Sequence, residues 1–373
     1  MSTQGEFYAG LMDTTIVMTK ISFQSAQSPF FRSLKSKVDT YFSDNQLRKS
    51  GEHKLYLKSV ILVVSAIALY VTLVFFTPQV WISVLLSSLL GVNLALIGFN
   101  IMHEGGHQSF SRHSWLNKTS AYFFNALGAS SEFWKIKHNI NHHTYTNIEG
   151  MDSDIDLKPL MRLHEDQPRF WFHRFQHLYW VFLYGTAYLA WVFYYDFQKY
   201  FQGWISQQPG SKQKKRQQHI VFWITKLIYV TVYIGLPMAM VGVVPALLGF
   251  TIVSFVFGLF ISIVFQLAHV VEFTEFPTPN QESNKIEQEW ALHQIATTAN
   301  FATRNKVIGW MFGGLNFQVE HHLFPRISHI HYPQINQFVI ETCKEFNIVY
   351  NEYPSFLRAL YSHLVHLKAL GKA

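Results

Sequence analysis

Three histidine clusters carry the chemistry this chain is equipped for. His103-Glu104-Gly105-Gly106-His107 reads H-x-x-x-H, and His138-Asn139-Ile140-Asn141-His142-His143 reads H-x-x-x-H-H. Gln318-Val319-Glu320-His321-His322 reads Q-x-x-H-H, and a lone His269 follows a long apolar run. On an α-helix, residues i and i+4 share one face, so His103 and His107 can aim at a single point. His138 and His142 can do the same, while His143, about 100° further round, can reach a second metal. A single H-x-x-x-H arises by chance, and paired histidines are common on exposed surfaces. Convergence of all these groups is what such backgrounds leave unexplained. The imidazoles exceed what one tetrahedral zinc uses, and no cysteine accompanies them. Imidazole suits iron, zinc, copper and nickel alike, so ligand type alone does not select the metal. A haem would need only one or two axial histidines within packed helices.

Something must hold these clusters together, and composition points to a membrane. The chain has 373 residues, 49% hydrophobic, 17% aromatic and 14% charged, against about 25% charged in an ordinary soluble domain. Ser59 to His103 and Leu227 to Val271 contain no Asp, Glu, Lys or Arg. Each run is long enough for two crossings of about 20 residues with a turn between. The first breaks at Thr77-Pro78-Gln79, giving spans near 59–76 and 80–99; the second breaks near Gly242–Pro245, giving spans near 220–241 and 246–267. Proline and glycine stop the helices there. Lys54 and Lys58 precede the first hairpin, and Lys212, Lys214, Lys215 and Arg216 precede the second. The positive-inside rule therefore puts both turns outside, and both termini and all the histidines on the cytoplasmic side. Phe175 to Tyr195 also lacks charge, but its many Tyr and Trp favour an interfacial position.

The remaining features bound the possibilities. A formal net charge of +7 is explained by topogenic lysines and arginines rather than by nucleic-acid binding. One cysteine, Cys343, excludes an internal disulfide. The first residues lack the apolar core of a signal peptide. The expected architecture is an all-α integral membrane protein: four transmembrane helices in two hairpins, with the rest of the chain on the cytoplasmic side. Residues 1–54 form a loosely ordered lead-in, 55–335 the main domain and 336–373 a helical tail, with 207–218 a flexible loop.

The detailed strings resemble those of the membrane fatty acid desaturase superfamily, and especially its front-end acyl desaturases. They are His103-Glu-Gly-Gly-His107-Gln-Ser-Phe, His138-Asn-Ile-Asn-His-His143-Thr-Tyr-Thr-Asn147 and Leu315-Asn-Phe-Gln-Val-Glu-His-His-Leu-Phe-Pro325. The likeness runs from about residue 55 to about 335 and implies four membrane helices under a cytoplasmic helical cap. It implies a di-iron site ligated by His103, His107, His138, His142, His143, His269, His321 and His322, with Gln318 in the place of a ninth ligand. Where relatives carry an Asn one turn before the histidine matching His269, this chain has Phe265, with Gln266 beside it. The resemblance further implies O₂ as co-substrate and an acyl-lipid or acyl-CoA substrate. No His-Pro-Gly-Gly haem motif occurs, so the expected electron source is a separate ferredoxin or cytochrome.

Outer partners must orient metal-bound imidazoles, and Glu104, Asp152, Asp154, Asp156, Gln266, Glu272 and Glu320 are the candidates nearest the clusters. His293 reads as a structural histidine. His113, His164, His173, His177, His329 and His331 have no evident pairing. Hydroxylation of a lipid, alkane or carotenoid on the same scaffold, and hydrolysis at a dizinc site, are the rival activities. A non-catalytic scaffold leaves the clusters unexplained.

Overall fold

The computed structural model describes residues 21–24, 28–207 and 211–373. Four of its helices are long and apolar enough to cross a bilayer: Glu52–Phe76, Val80–Gly106, Lys212–Val241 and Val243–His269. They match the four expected spans but run further. The first pair breaks at Thr77, in the left-handed region at φ 41°, and the second at the single residue Gly242, at φ 91°. Pro245 lies in the first turn of the fourth helix, where its missing N–H has no intrahelical partner to lose. Of the expected flexible loop over 207–218, residues 208–210 lie outside the described residues, and the part from Lys212 onward is instead the start of the third helix. Ser211 caps it by accepting from the Lys214 N–H at 3.2 Å.

The second and fourth apolar helices pack side by side in the same direction. Ser87 meets Gly249, Gly91 meets the Val253 backbone, and Gly98 meets Phe257 and Ile261. Their C-terminal ends, which carry His103 and His269, therefore lie together. The aromatic segment after Phe175 is a helix over Gln176–Ala190, continued by a wide turn over Trp191–Tyr195. It runs antiparallel to the fourth helix, with Tyr188 edge-on to Phe257 at 4.4 Å and Phe193 near Phe250 at 6.3 Å. Trp180, Tyr184, Tyr188 and Val192, four apart, form its buried stripe. At the crossing, a side chain on Gly258 would lie 2.6 Å from the Gly185 carbonyl oxygen, a backbone atom that cannot step aside. Gly258→Ala is expected to destabilise the protein by about 1–3 kcal/mol, read as a lower melting temperature in detergent; an unchanged melting temperature would contradict this packing.

A second core departs from the expected loose lead-in. The helix Pro29–Asp44, capped by Ser28, buries Phe30, Leu34, Val38 and Phe42. They pack against Ile295, Val319, Leu323, Ile335 and Val339. The first twenty residues of the lead-in lie outside the described residues. The C-terminal segment is equally built in. His363 donates from Nδ1 to the Val270 carbonyl at 2.6 Å, and the Tyr184 hydroxyl lies 2.9 Å from its Nε2. Arg162 and Arg169 donate to the Leu370 and Gly371 carbonyls. Two short parallel strand pairs modify the all-helical expectation: Ser22–Phe23 with Lys285–Ile286, and Asn300–Phe301 with Glu352–Tyr353.

Candidate metal centre

The histidines sit where regular helices end or loosen. A wide π-type turn over Gly98–Met102 leads into His103, and a second covers Ile136–His142; such turns recur at functional sites. The second one adds a pairing to the His138–His142 one expected from α-helical spacing, which the fold keeps within reach of Asp154. Bonding i to i+5 brings His143 beside His138, with their Nε2 atoms 3.2 Å apart. One group comprises His103, His107, His138 and His321, and another His142, His269 and His322; within each, one nitrogen per ring lies within 4.8 Å of the others. His142 joins His269 and His322, and its ring also stacks on His138 at 5.2 Å, the two forming a further group with Asp154. His143 stands between the groups, its ring 4.6 Å from His321 and 4.5 Å from His322. All eight imidazoles are buried.

Four of the imidazoles are held from outside with their inner nitrogens unpartnered. His142 Nδ1 donates to Asp152 Oδ2 at 3.0 Å, His322 Nδ1 to Gln294 Oε1 at 2.7 Å and His269 Nδ1 to the Thr297 carbonyl at 3.3 Å. His321 Nδ1 lies 3.2 Å from the Tyr332 hydroxyl. In these four rings, and in His107, the buried Nε2 has no hydrogen-bond partner. Both amide atoms of buried Gln318 are likewise unpartnered. Inward lone pairs without protons to satisfy them fit metal ligation, which explains an otherwise costly arrangement. Burial pushes His107, His138, His143, His321 and His322 well below the usual imidazole range, so they are neutral and able to ligate. Burial opposes charge on His142 too, but the Asp152 carboxylate beside it raises its pKa.

The outer candidates divide. Asp152 bonds His142; Asp154 lies 3.4 Å from it while pairing with Lys137. Gln266 donates to the Asp154 carbonyl and leaves its buried Oε1 unpartnered. Glu104 turns instead to His329, at 2.7 Å, and to Ser109; His329 thus gains a partner that its sequence position did not suggest. Glu320 bonds Asn300 and Asn336 rather than a histidine, and burial raises its carboxyl to about 7. Asp156 pairs with Lys158, and the backbone of Glu272 donates to Ser362; neither side chain is seen to hold an imidazole. Phe265 sets its ring edge-on to His138 at 5.7 Å. His293 is buried under Phe23, 5.0 Å away. Sequence reasoning missed Thr146, Gln294, Thr297 and Tyr332 as outer partners, since neutral side chains and backbone carbonyls carry no charge signal.

A buried pair of imidazole nests is suited to two metal ions, with Trp134 stacked on His138 at 4.6 Å and on Phe124 at 4.4 Å as an apolar wall. The fatty acid desaturase family matches residues 79–354. The chain is 36% identical to the sn-1 linoleoyl-lipid 6-desaturase of Synechocystis sp., covering 92% of this chain and 96% of that one. It is 34% identical to the acyl-lipid (8-3)-desaturase of Physcomitrium patens, over 98% of this chain and 77% of the relative. A third relative, the acyl-lipid (8-3)-desaturase of Mortierella alpina, is 29% identical over 98% of this chain and 82% of its own length. Histidine geometry and similarity along nearly the whole chain agree: the protein belongs to the fatty acid desaturase family and is an oxidoreductase that desaturates fatty acids.

Proposed function

We propose that this enzyme is a front-end desaturase of acyl lipids, inserting a double bond between an existing one and the carboxyl end. The observation that carries the di-iron part is the pair of inward-facing imidazole groups. His103, His107, His138 and His321 would hold one iron and His142, His269 and His322 the other, with His143 between them and Gln318 as a ninth donor. Bound there, the irons supply O₂ activation: one O₂, two electrons and two protons turn adjacent methylenes into a double bond and two waters. The chain's own residues do the rest. Asp152, Gln294 and the Thr297 carbonyl fix the imidazole tautomers. Trp134, Phe124 and Phe265 wall the centre with apolar rings and exclude water.

The same reading takes the basic residues flanking the apolar helices as cytoplasmic. It puts the histidine end, both termini and a helical cap on that side. Electrons then come from a separate ferredoxin or cytochrome. Acyl lipids are preferred to acyl-CoA because the relatives' names specify lipid-linked chains. Expression in a host that makes linoleoyl lipids but lacks such an enzyme is expected to yield a new carboxyl-side double bond, located by mass spectrometry of derivatised methyl esters. A new hydroxyl, or a new bond only on the methyl side, would overturn the assignment.

A further inference from the structure

Two residues close the second histidine string. Thr146 and Asn147 follow His143 by a few positions and are fully buried. Asn147 adopts a left-handed backbone, φ 58°, which Asn tolerates better than most side chains. Its backbone N–H donates to Asp152 Oδ2 at 3.0 Å, the same oxygen that accepts from His142. Its side-chain amide donates to the His269 carbonyl at 2.9 Å, to the Thr297 carbonyl at 3.3 Å and to the Glu275 carbonyl at 3.1 Å. The Thr297 carbonyl is also the acceptor for His269 Nδ1. The Thr146 hydroxyl lies 2.7 Å from the His142 carbonyl, 3.0 Å from Gln294 Oε1 and 3.3 Å from His322 Nδ1. Gln294 Oε1 is in turn the acceptor for His322.

Apart from the bond to the Glu275 carbonyl, these bonds lead to one half of the centre. His142, His269 and His322 are each held by an acceptor that Thr146 or Asn147 also grips. Among the described residues, neither side chain bonds to His103, His107, His138 or His321. We propose that Thr146 and Asn147 are positioning residues forming one hub that sets the three-histidine metal position alone, so the two metal positions can be emptied separately. This rests on the di-iron reading. Outer partners of this kind typically change metal affinity by about 10–100-fold. The three-histidine position has fewer imidazoles to compensate than its four-histidine neighbour.

Asn147→Asp tests the hub with little change of shape. The side chain keeps its size and its backbone N–H, but two donors facing three carbonyls become acceptors. Purified in detergent with ferrous iron supplied, the natural protein is expected to hold two irons per folded chain by elemental analysis, and N147D about one. ⁵⁷Fe Mössbauer spectra should show one of two iron environments lost. A purely structural role would lower the yield of folded protein and leave the ratio at two. N147D retaining two irons overturns the hub, as does N147D losing both. If the natural protein binds fewer than two metals, the di-iron reading fails first and the hub falls with it. Thr146→Val, which removes only the hydroxyl, gives the same readout if N147D does not accumulate. It too is expected to hold about one iron, and two would overturn the hub.

Discussion

Replacing His142 or His322 by alanine is expected to abolish double-bond formation while the protein still accumulates in the membrane. Each contributes one of only three imidazoles to its half of the centre. Each also has a buried inner nitrogen without a hydrogen-bond partner. Loss of an outer partner costs about 10–100-fold in metal affinity or activity, so loss of a direct ligand should exceed the upper end of that range. Folding is less exposed, because Asp152 keeps its bond from the Asn147 N–H in the His142 variant. Gln294 keeps Thr146 in the His322 variant. New double bonds in host lipids, normalised to enzyme level by immunoblot, provide the readout. Full activity in either variant would remove the basis for a histidine-ligated reaction centre.

Lys226→Met is expected to have the largest effect on stability. Lys226 lies inside the third apolar helix, where its ammonium donates to Asp196 at 3.0 Å, to the Gly128 carbonyl at 2.6 Å and to the Val192 carbonyl at 2.7 Å. Asp196 also accepts from the Ser130 N–H at 2.8 Å, at the cap of the short helix leading to His138. Removing one partner of a buried pair strands the other, at about 3–5 kcal/mol. Burial already pushes the Asp196 carboxyl above its usual range despite the lysine. Without Lys226 the carboxyl rises further. The unfolded chain then ionises where the folded one does not, so the deficit grows as pH rises above the ordinary Asp range. Lys226→Met with Asp196→Asn should recover most of the loss, because the amide oxygen can still accept from Ser130. Thermal unfolding in detergent across pH tests both points; a single variant as stable as the natural protein would show that the pair contributes nothing.

The parts legible in the sequence are those whose signal is local. Charge-free runs marked the four long apolar helices, tight spacing marked seven of the eight histidines that the fold gathers into one buried site, and the end of an apolar run marked the eighth, His269. Phe30, Leu34, Val38 and Phe42 already stood four apart, yet interspersed lysines and serines hid the helix that buries them. The division of labour between His142 and His143 escaped because it depends on a π-type turn, which obeys a different period from the α-helix assumed. Asp196 and Lys226 are thirty residues apart, and neither shows its partner to a reader of local pattern. The oxygens that orient His269 and His322 belong to a backbone carbonyl and an amide. Only the folded chain brings them into position.

The last helix is secured through its final turn, where Arg162 and Arg169 take the carbonyls of Leu370 and Gly371 and the Gly371 backbone lies against His173. A fluorescent reporter or affinity handle joined directly after Ala373 would therefore crowd two guanidinium anchors. A flexible spacer at that junction, or a fusion at the other end of the chain, avoids the collision.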